Sequence, residues 1–141
     1  LQALNGYRFN RLTGMGDALG GEQPASIPFN PQDIADATDF VLGASLCVSR
    51  RFLERVGPMA EDYFLYYEEI DWATRNNRLG AERFDVGFAH GAIVYHKAGR
   101  SIGSKSSVSA RSPFAEYWIT RSRLKFTRRF HLLLWPLHWV L

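Results

Sequence analysis

The sequence predicts an α/β fold, and two features support this prediction. Short apolar runs alternate along the chain with amphipathic segments of helical period, which is the pattern of strands separated by helices. The 141 residues, of which 46% are hydrophobic and 22% charged, have the size and composition of a compact globular domain. This composition excludes a disordered chain, a collagen and a coiled coil.

The first part of the chain predicts little regular structure. Residues 1–38 are rich in glycine and proline and lack a regular apolar repeat, so we expect mostly loop with one short strand. The apolar run over residues 40–48 predicts a buried strand. Residues 51–56 then predict a short helix, which Gly57 and Pro58 terminate.

The middle of the chain predicts a helix between two strands. An aromatic run over residues 63–67 predicts a strand that leads directly into a helix over residues 68–79. Acidic side chains in the first turn, Arg78 in the last turn and Gly80 just beyond are the usual signals of such a helix. Residues 92–96 predict a second compact strand, which a basic loop rich in glycine and serine follows.

A long helix is predicted over residues 113–130, with Pro113 in its first turn and five basic side chains among its aromatic ones. The apolar run that follows is too short, and too interrupted by histidine and proline, to span a bilayer as it stands. We expect residues 113–141 to form a basic aromatic helix with an apolar end, which attaches to an anionic membrane surface. The alternative is a final helix that packs on the domain and keeps its basic residues in water.

Charge is distributed unevenly along the chain. Residues 1–96 hold 8 Lys and Arg against 13 Asp and Glu, a net charge of −5, whereas residues 97–141 hold 9 against 1, a net charge of +8. We therefore expect an acidic body followed by a basic tail. The single cysteine, Cys47, excludes a disulfide scaffold and a cysteine-ligated zinc site.

Three carboxylates, Glu68, Glu69 and Asp71, crowd the first turn of the predicted central helix. The helix dipole favours acids there, and Asp71 lies four residues before Arg75, as in an ordinary helical ion pair. Alternatively, one of these acids is a general base whose pKa is adjusted by burial and by its charged neighbours. Successive helical residues point about 100° apart, so only one or two of the three can face one pocket.

His96 ends the second predicted strand. A lone histidine is usually structural, but strand ends that lead into flexible loops are where α/β folds bind ligands. The next residues include Lys97, Arg100 and Ser101 in a glycine-containing loop, and such a mixture of cations, hydroxyls and free N–H groups suits a phosphate. The alternative is that this loop is a solvated surface.

These segments together resemble the C-terminal half of a family 2 glycosyltransferase of the rhamnosyltransferase-like branch. The resemblance runs from about Asp39 to Phe130, in several spaced blocks that stand in the same order, and it covers residues 1–38 weakly. The blocks are Asp39 to Ala44, Arg50 to Gly57, Asp62 to Trp72, Arg75, Gly80, and Val94 to Gly103.

The resemblance implies the C-terminal half of a GT-A fold, with a mixed sheet, flanking helices and a C-terminal basic amphipathic helix. Residues 1–112 are then the acceptor-side part of the domain. The family transfers a sugar with inversion from a nucleoside-diphosphate sugar, with a divalent cation, Mg²⁺ or Mn²⁺, held by the donor diphosphate. The family's Asp-x-Asp metal motif belongs to an upstream half, and this sequence does not contain it.

The resemblance also implies roles for individual residues. The acid that serves the family as catalytic base falls at Glu69, where Asp is common, and Glu68 and Asp71 are its catalytic neighbours. Trp72 and Tyr67 are implied to bind the acceptor, because a ring face can stack on a sugar.

The donor side is implied at the end of the second predicted strand. The family's histidine, a metal ligand or diphosphate contact, falls at His96. Lys97, Arg100 and Ser101 are implied to bind the diphosphate, whose growing negative charge must be met by cationic groups during transfer.

Taken together, the resemblance implies an enzyme that transfers a sugar, with rhamnose as a candidate, to a saccharide or lipid-linked acceptor in cell-surface polysaccharide synthesis. It implies a peripheral location on the cytoplasmic face of a bacterial membrane. The chain begins without an initiator Met and ends within an apolar run. We therefore interpret it as an internal piece of a longer enzyme, and expect it to be inactive alone.

Two other classes of function stay open at this point. The chain could be a remnant of such an enzyme that binds saccharide without transferring it. It could also be a small basic domain that binds nucleic acid through the aromatic and basic residues after Arg121. The acidic body argues against a broad basic face, so we expect no nucleic-acid partner.

Overall fold

The computed structural model describes residues 1–24, 26–96 and 111–141. Over these residues the chain forms a mixed α/β fold with one small sheet of three strands and five α-helices. The predicted α/β class is therefore confirmed. The sheet in the described part of the chain is antiparallel throughout, rather than mixed as the resemblance implied.

The sheet is built mainly from the first residues of the chain. Strand β1 (Gly6–Asn10) pairs with β2 (Met15–Ala18) on one side and with β3 (Phe40–Val41) on the other. The rings of Tyr7 and Phe40 stack across the second pairing, with their centroids 5.2 Å apart. The expectation of mostly loop with one short strand over residues 1–38 misses one strand, since β1 and β2 both lie there and pair with each other, and β3 joins them from a later part of the chain.

Helix α1 (Pro31–Ala37) also lies within the residues expected to form loop. The Oδ1 atom of Asn30 accepts a hydrogen bond from the backbone N–H of Gln32 at 3.0 Å, which caps the first turn. At the other end, the hydroxyl of Thr38 donates to the carbonyl of Ile34 at 2.7 Å. Asn30 and Pro31 are sequence signals for the start of a helix, but the many glycines and prolines around them favoured the prediction of a loop.

The three strands expected later in the chain are short or absent. Of residues 40–48, only Phe40 and Val41 form a strand, because a turn follows in which the N–H of Ser45 donates to the carbonyl of Leu42. Residues 92–96 form no strand and are exposed to solvent. Residues 63–67 also form no strand. Apolar composition alone does not make a strand where no neighbouring strand is in reach.

The helices follow the sequence closely. Helix α2 (Arg50–Val56) and helix α4 (Pro113–Phe130) are confirmed, and each is capped by a serine side chain that accepts from a backbone N–H. Helix α3 (Glu68–Asn77) begins where predicted and ends two residues early. After α4 a 3₁₀ turn leads into helix α5 (Trp135–Val140), which packs back on α4.

The core lies where the sheet, α3 and α4 meet. The ring of Phe126 is fully buried and lies 5.5 Å from the rings of both Phe9 and Tyr67, measured between centroids. Tyr63 and Ile70 complete the buried cluster. Aromatic pairs at these separations stabilise a core beyond the area that they bury.

A buried ion pair joins α3 to its surroundings. The fully buried carboxylate of Asp71 accepts from the hydroxyl of Tyr63 at 2.9 Å, from Nε of Arg75 at 2.7 Å and from Nη1 of Arg129 at 2.9 Å. The other two nitrogens of the Arg75 guanidinium donate to the carbonyls of Val56 and Pro58, at 2.6 and 2.7 Å. Asp71 and Arg75 thus connect α3 to α4 and to the end of α2.

The C-terminal segment is held by one buried histidine. Nε2 of His138 lies 3.0 Å from the carbonyl oxygen of Arg11, and Nδ1 lies 3.0 Å from the hydroxyl of Thr127. A carbonyl can only accept, so Nε2 carries a proton in this arrangement. Among the described residues there is no helix of the length and apolar character needed to cross a membrane.

We expect Asp71→Asn to lower the free energy of unfolding by about 3 kcal/mol, because it removes a fully buried carboxylate and leaves the partly exposed guanidiniums of Arg75 and Arg129 without their counter-charge. The control is Asp62→Asn, which breaks an exposed ion pair with Lys125 and should cost less than about 1 kcal/mol. Urea unfolding of both variants measures the difference. Equal losses would show that burial of the Asp71 carboxylate is not what stabilises α3.

Candidate functional site

The segment that leads into α3 has a strained backbone. After a 3₁₀ turn at Glu61–Tyr63, residues Phe64, Tyr66 and Tyr67 have φ angles of 68°, 65° and 76°. This left-handed region costs about 1–2 kcal/mol for each residue other than glycine. Such strain is concentrated at functional sites, where the surrounding structure maintains it.

Contacts from α4 and from the sheet maintain this strain. The hydroxyl of Ser122 donates to the carbonyl of Leu65 at 2.9 Å, and Nζ of Lys125 donates to the carbonyl of Asp62 at 2.8 Å. The hydroxyl of Tyr67 donates to the carbonyl of Gly14 in the β1–β2 turn. The first turn of α3, with its acidic side chains, is therefore held at a fixed angle to the sheet.

The carboxylate of Glu69 packs against the backbone of Gly43, two residues after the end of β3. A Cβ atom built on Gly43 would lie 2.0 Å from Oε1 of Glu69, so the carboxylate occupies the space that a side chain at that position would fill. Burial raises the pKa of the Glu69 carboxyl, and hydrogen bonds from its own N–H and from the N–H of Gly43 oppose that rise. Glycine at this position lets the carboxylate and the backbone approach each other closely.

Glu68 has a related environment on the same turn. Burial raises the pKa of its carboxyl, its own backbone N–H opposes that rise, and the charge of Glu69 adds to it. The pKa values of both carboxyls are thus raised from the ordinary value of glutamate, and burial is the main cause in each case.

Asp71 does not join this pair. Its carboxylate is fully buried and its two oxygens accept from three donors in the interior. A carboxylate without access to solvent, and with its oxygens already engaged, is in no position to take a proton from a substrate. The prediction of Asp71 as a catalytic acid is replaced by a structural role in the ion pair that positions α3.

Trp72 and Tyr67 are also placed differently from the expectation that they bind an acceptor. Nε1 of Trp72 donates to the carbonyl of Gly57 at 2.8 Å, and its ring lies edge-on to Phe52 with centroids 5.0 Å apart. Tyr67 is in the central core. Both side chains are buried, so neither ring offers a face to a sugar, and we do not retain these acceptor roles.

Of the predicted donor-side residues, only His96 belongs to the described part of the chain. His96 is exposed, and its Nδ1 lies 2.9 Å from Oε1 of Gln2. The predicted diphosphate contacts Lys97, Arg100 and Ser101 lie outside the described residues. Within residues 1–24, 26–96 and 111–141, no group of three or more His, Cys, Asp or Glu side chains is arranged to hold a metal ion.

Sequence reasoning missed two parts of this site. Gly43 belongs to the apolar run over residues 40–48 that predicted a strand, whereas in the structure the absence of a side chain at Gly43 permits the close approach of Glu69. An isolated glycine inside an apolar run is a known signal of such an approach. No local signal in the sequence indicates the left-handed conformations of Phe64, Tyr66 and Tyr67, since contacts distant in sequence maintain them.

Comparison of this chain with protein-family models, with curated proteins and with solved structures finds no match in any of the three. A functional assignment therefore depends on the residues and on the geometry described above.

We expect Glu69→Gln to raise the free energy of unfolding at pH 7. A raised pKa means that folding disfavours the ionised carboxylate, and this penalty applies above the raised pKa. It declines as the pH falls and vanishes below the ordinary glutamate pKa of about 4.3. Glutamine keeps an oxygen for the Gly43 N–H, so urea unfolding should show a gain at pH 7 that shrinks at pH 4. A loss of equal size at both pH values would contradict this account of Glu69.

Proposed function

We propose that this chain is the acceptor-side part of an inverting glycosyltransferase, and that Glu69 is its general base. One observation carries the proposal: a half-buried carboxyl with a raised pKa is seated against Gly43, directly after a strained backbone segment. The resemblance of residues 39–130 to family 2 glycosyltransferases gives the class of reaction.

In this mechanism Glu69 takes the proton from an acceptor hydroxyl as its oxygen attacks the anomeric carbon of the donor sugar. The bond from that carbon to the nucleoside diphosphate breaks on the opposite face, so the configuration at the carbon is inverted. A base is most effective when its pKa lies near the working pH, and burial moves the pKa of Glu69 in that direction. Glu68 lies beside Glu69 on the same turn, and Asp71 keeps the helix in place through its contacts with Arg75 and Arg129.

The donor is proposed to be a nucleoside-diphosphate sugar, with rhamnose as a candidate sugar. His96, Lys97, Arg100 and Ser101 would contact its diphosphate. A divalent cation, Mg²⁺ or Mn²⁺, would supply positive charge to the leaving diphosphate. The acceptor is proposed to be a saccharide or a lipid-linked saccharide of cell-surface polysaccharide synthesis. Because this sequence contains no Asp-x-Asp motif, we propose that a separate donor-binding part is required for transfer.

We expect Glu69→Gln, in the full-length protein that carries this chain, to lower kcat by about 100-fold or more. Gly43→Ala should also lower kcat strongly, because its methyl group displaces the carboxylate rather than the backbone. Glu68→Gln should have a smaller effect. The measurement is transfer of radiolabelled sugar from UDP-glucose, UDP-N-acetylglucosamine or dTDP-rhamnose to saccharide and lipid-extract acceptors.

The matched control for these variants is Glu61→Gln, an exposed acid just before the strained segment, which should leave kcat unchanged. Normal activity of Glu69→Gln, or transfer by the 141-residue chain alone, would contradict the proposal. Binding of a donor by the full-length protein without any transfer would instead favour a saccharide-binding remnant.

We further propose that the C-terminal segment attaches this protein to the cytoplasmic face of a membrane. Helix α5 and the turn before it expose large apolar side chains, among them Leu133 at 97% and Trp139 at 63% of full exposure. The guanidinium of Arg128 lies 5.9 Å from the ring of Trp135 on the same segment. Aromatic and aliphatic side chains beside arginine suit the interface of an anionic bilayer.

We expect the 141-residue chain to float with vesicles that contain phosphatidylglycerol, and to float less with phosphatidylcholine alone. Leu133→Asp should abolish flotation, because it places a charge in the apolar surface. Leu12→Asp, at an exposed leucine in the β1–β2 turn, is the control and should float normally. Equal flotation of the chain with both lipids would overturn the attachment proposal.

A further inference from the structure

A cleft of about 320 Å³ lies between the sheet and α3, and neither Glu68 nor Glu69 lines it. Its floor is apolar and includes Phe9, Phe40 and Ile70. Cavities of this size, with an apolar floor and a few convergent polar groups, are the usual form of small-molecule sites.

Three basic side chains from three different elements line this cleft. Arg11 comes from the β1–β2 turn, Arg78 from the end of α3 and His131 from the end of α4. Neither guanidinium forms an ion pair with a carboxylate of the described residues. The guanidinium of Arg78 is held over the ring of Phe130, 4.6 Å from its centroid, and its Nη2 donates to the Phe130 carbonyl at 3.5 Å, so its other N–H groups can donate to a ligand.

The single carboxylate that lines the cleft is partly engaged. Oδ2 of Asp39 accepts from the backbone N–H of Phe9 at 2.7 Å. Its other oxygen can accept from a hydroxyl group, and so can the side-chain oxygens of Thr74 and Asn77 on α3. The cleft therefore combines a positive rim with acceptors for hydroxyl groups.

The surroundings of His131 hold an excess of positive charge. Burial lowers the pKa of His131, and the charges of Arg11 and Arg78 and the nearby His138 lower it further. An anion between the two guanidiniums would offset the repulsion that they exert on the imidazolium.

We propose that this cleft binds the phosphate group of a small hydroxyl-bearing ligand, with Arg11 and Arg78 as its principal contacts and His131 beside them. Two guanidiniums that approach from separate elements match the several oxygens of a phosphate better than the two oxygens of a carboxylate. This site is separate from the proposed transfer site, and none of its three basic residues has a role there. The same chemistry is offered by a free phosphate ester and by a phospholipid headgroup.

The test uses the 141-residue chain with two probes, glycerol 3-phosphate in solution and phosphatidylglycerol vesicles. Calorimetry measures binding of the first, with the imidazole proton signal of His131 as a local reporter, and flotation measures binding of the second. The variant is Arg11→Gln with Arg78→Gln. The control is Arg8→Gln with Arg83→Gln, which removes the same charge from exposed positions outside the cleft.

We expect the cleft variant to bind the probe at least tenfold more weakly than the parent chain, because it lacks two charged hydrogen-bond donors. The control variant should bind as the parent chain does. Loss of glycerol 3-phosphate binding identifies a free phosphate ester, and loss of vesicle binding alone identifies a lipid headgroup. Binding of neither probe by the parent chain, or an equal decrease in variant and control, would overturn the proposal. Flotation with phosphatidylglycerol also depends on the attachment proposal, so vesicle binding supports a headgroup in the cleft only where the cleft variant weakens it and the control does not. The glycerol 3-phosphate result is independent of the transfer and attachment proposals, because Leu133 and Glu69 are unchanged in these variants.

Discussion

The carboxylate of Asp71 is the interaction on which the arrangement of α3 depends. It is fully buried, and it is matched by the hydroxyl of Tyr63 and by the guanidiniums of Arg75 and Arg129. Removal of a charge from water is costly, so a buried carboxylate of this kind stabilises a fold only when its partners are correctly placed. Because those partners come from α3, from α4 and from the turn before α3, the ion pair specifies how these elements meet.

The consequence for function is a defined position for the first turn of α3. Contacts from α4 and from the β1–β2 turn maintain the left-handed conformations before it, and Glu69 is brought against the backbone of Gly43. Burial and strain in this region both oppose folding locally, while Asp71 and the aromatic core favour it. Backbone strain next to a buried carboxyl with a raised pKa is a combination that is typical of reactive sites.

The sequence was informative where structure is determined locally. Helices α2 and α4 begin at serine caps, and α4 has Pro113 in its first turn, so their limits could be predicted. The β1–β3 pairing could not, because Tyr7 and Phe40 are brought together only by the fold. Local patterns indicated the acids of α3, but the separation of Asp71 from Glu68 and Glu69 depends on the distant Arg129.

The most direct test of the central claim is the titration of the Glu69 carboxyl, followed by carbon-13 NMR and assigned with Glu69→Gln. The account predicts a midpoint above that of the same carboxyl in the urea-unfolded chain, because burial disfavours the charged form. It also predicts that Asp71→Asn, which loosens α3, moves the midpoint toward the unfolded value. A midpoint at or below the unfolded value in the parent chain would contradict the claim that folding raises the pKa of Glu69 and so suits it to act as a base.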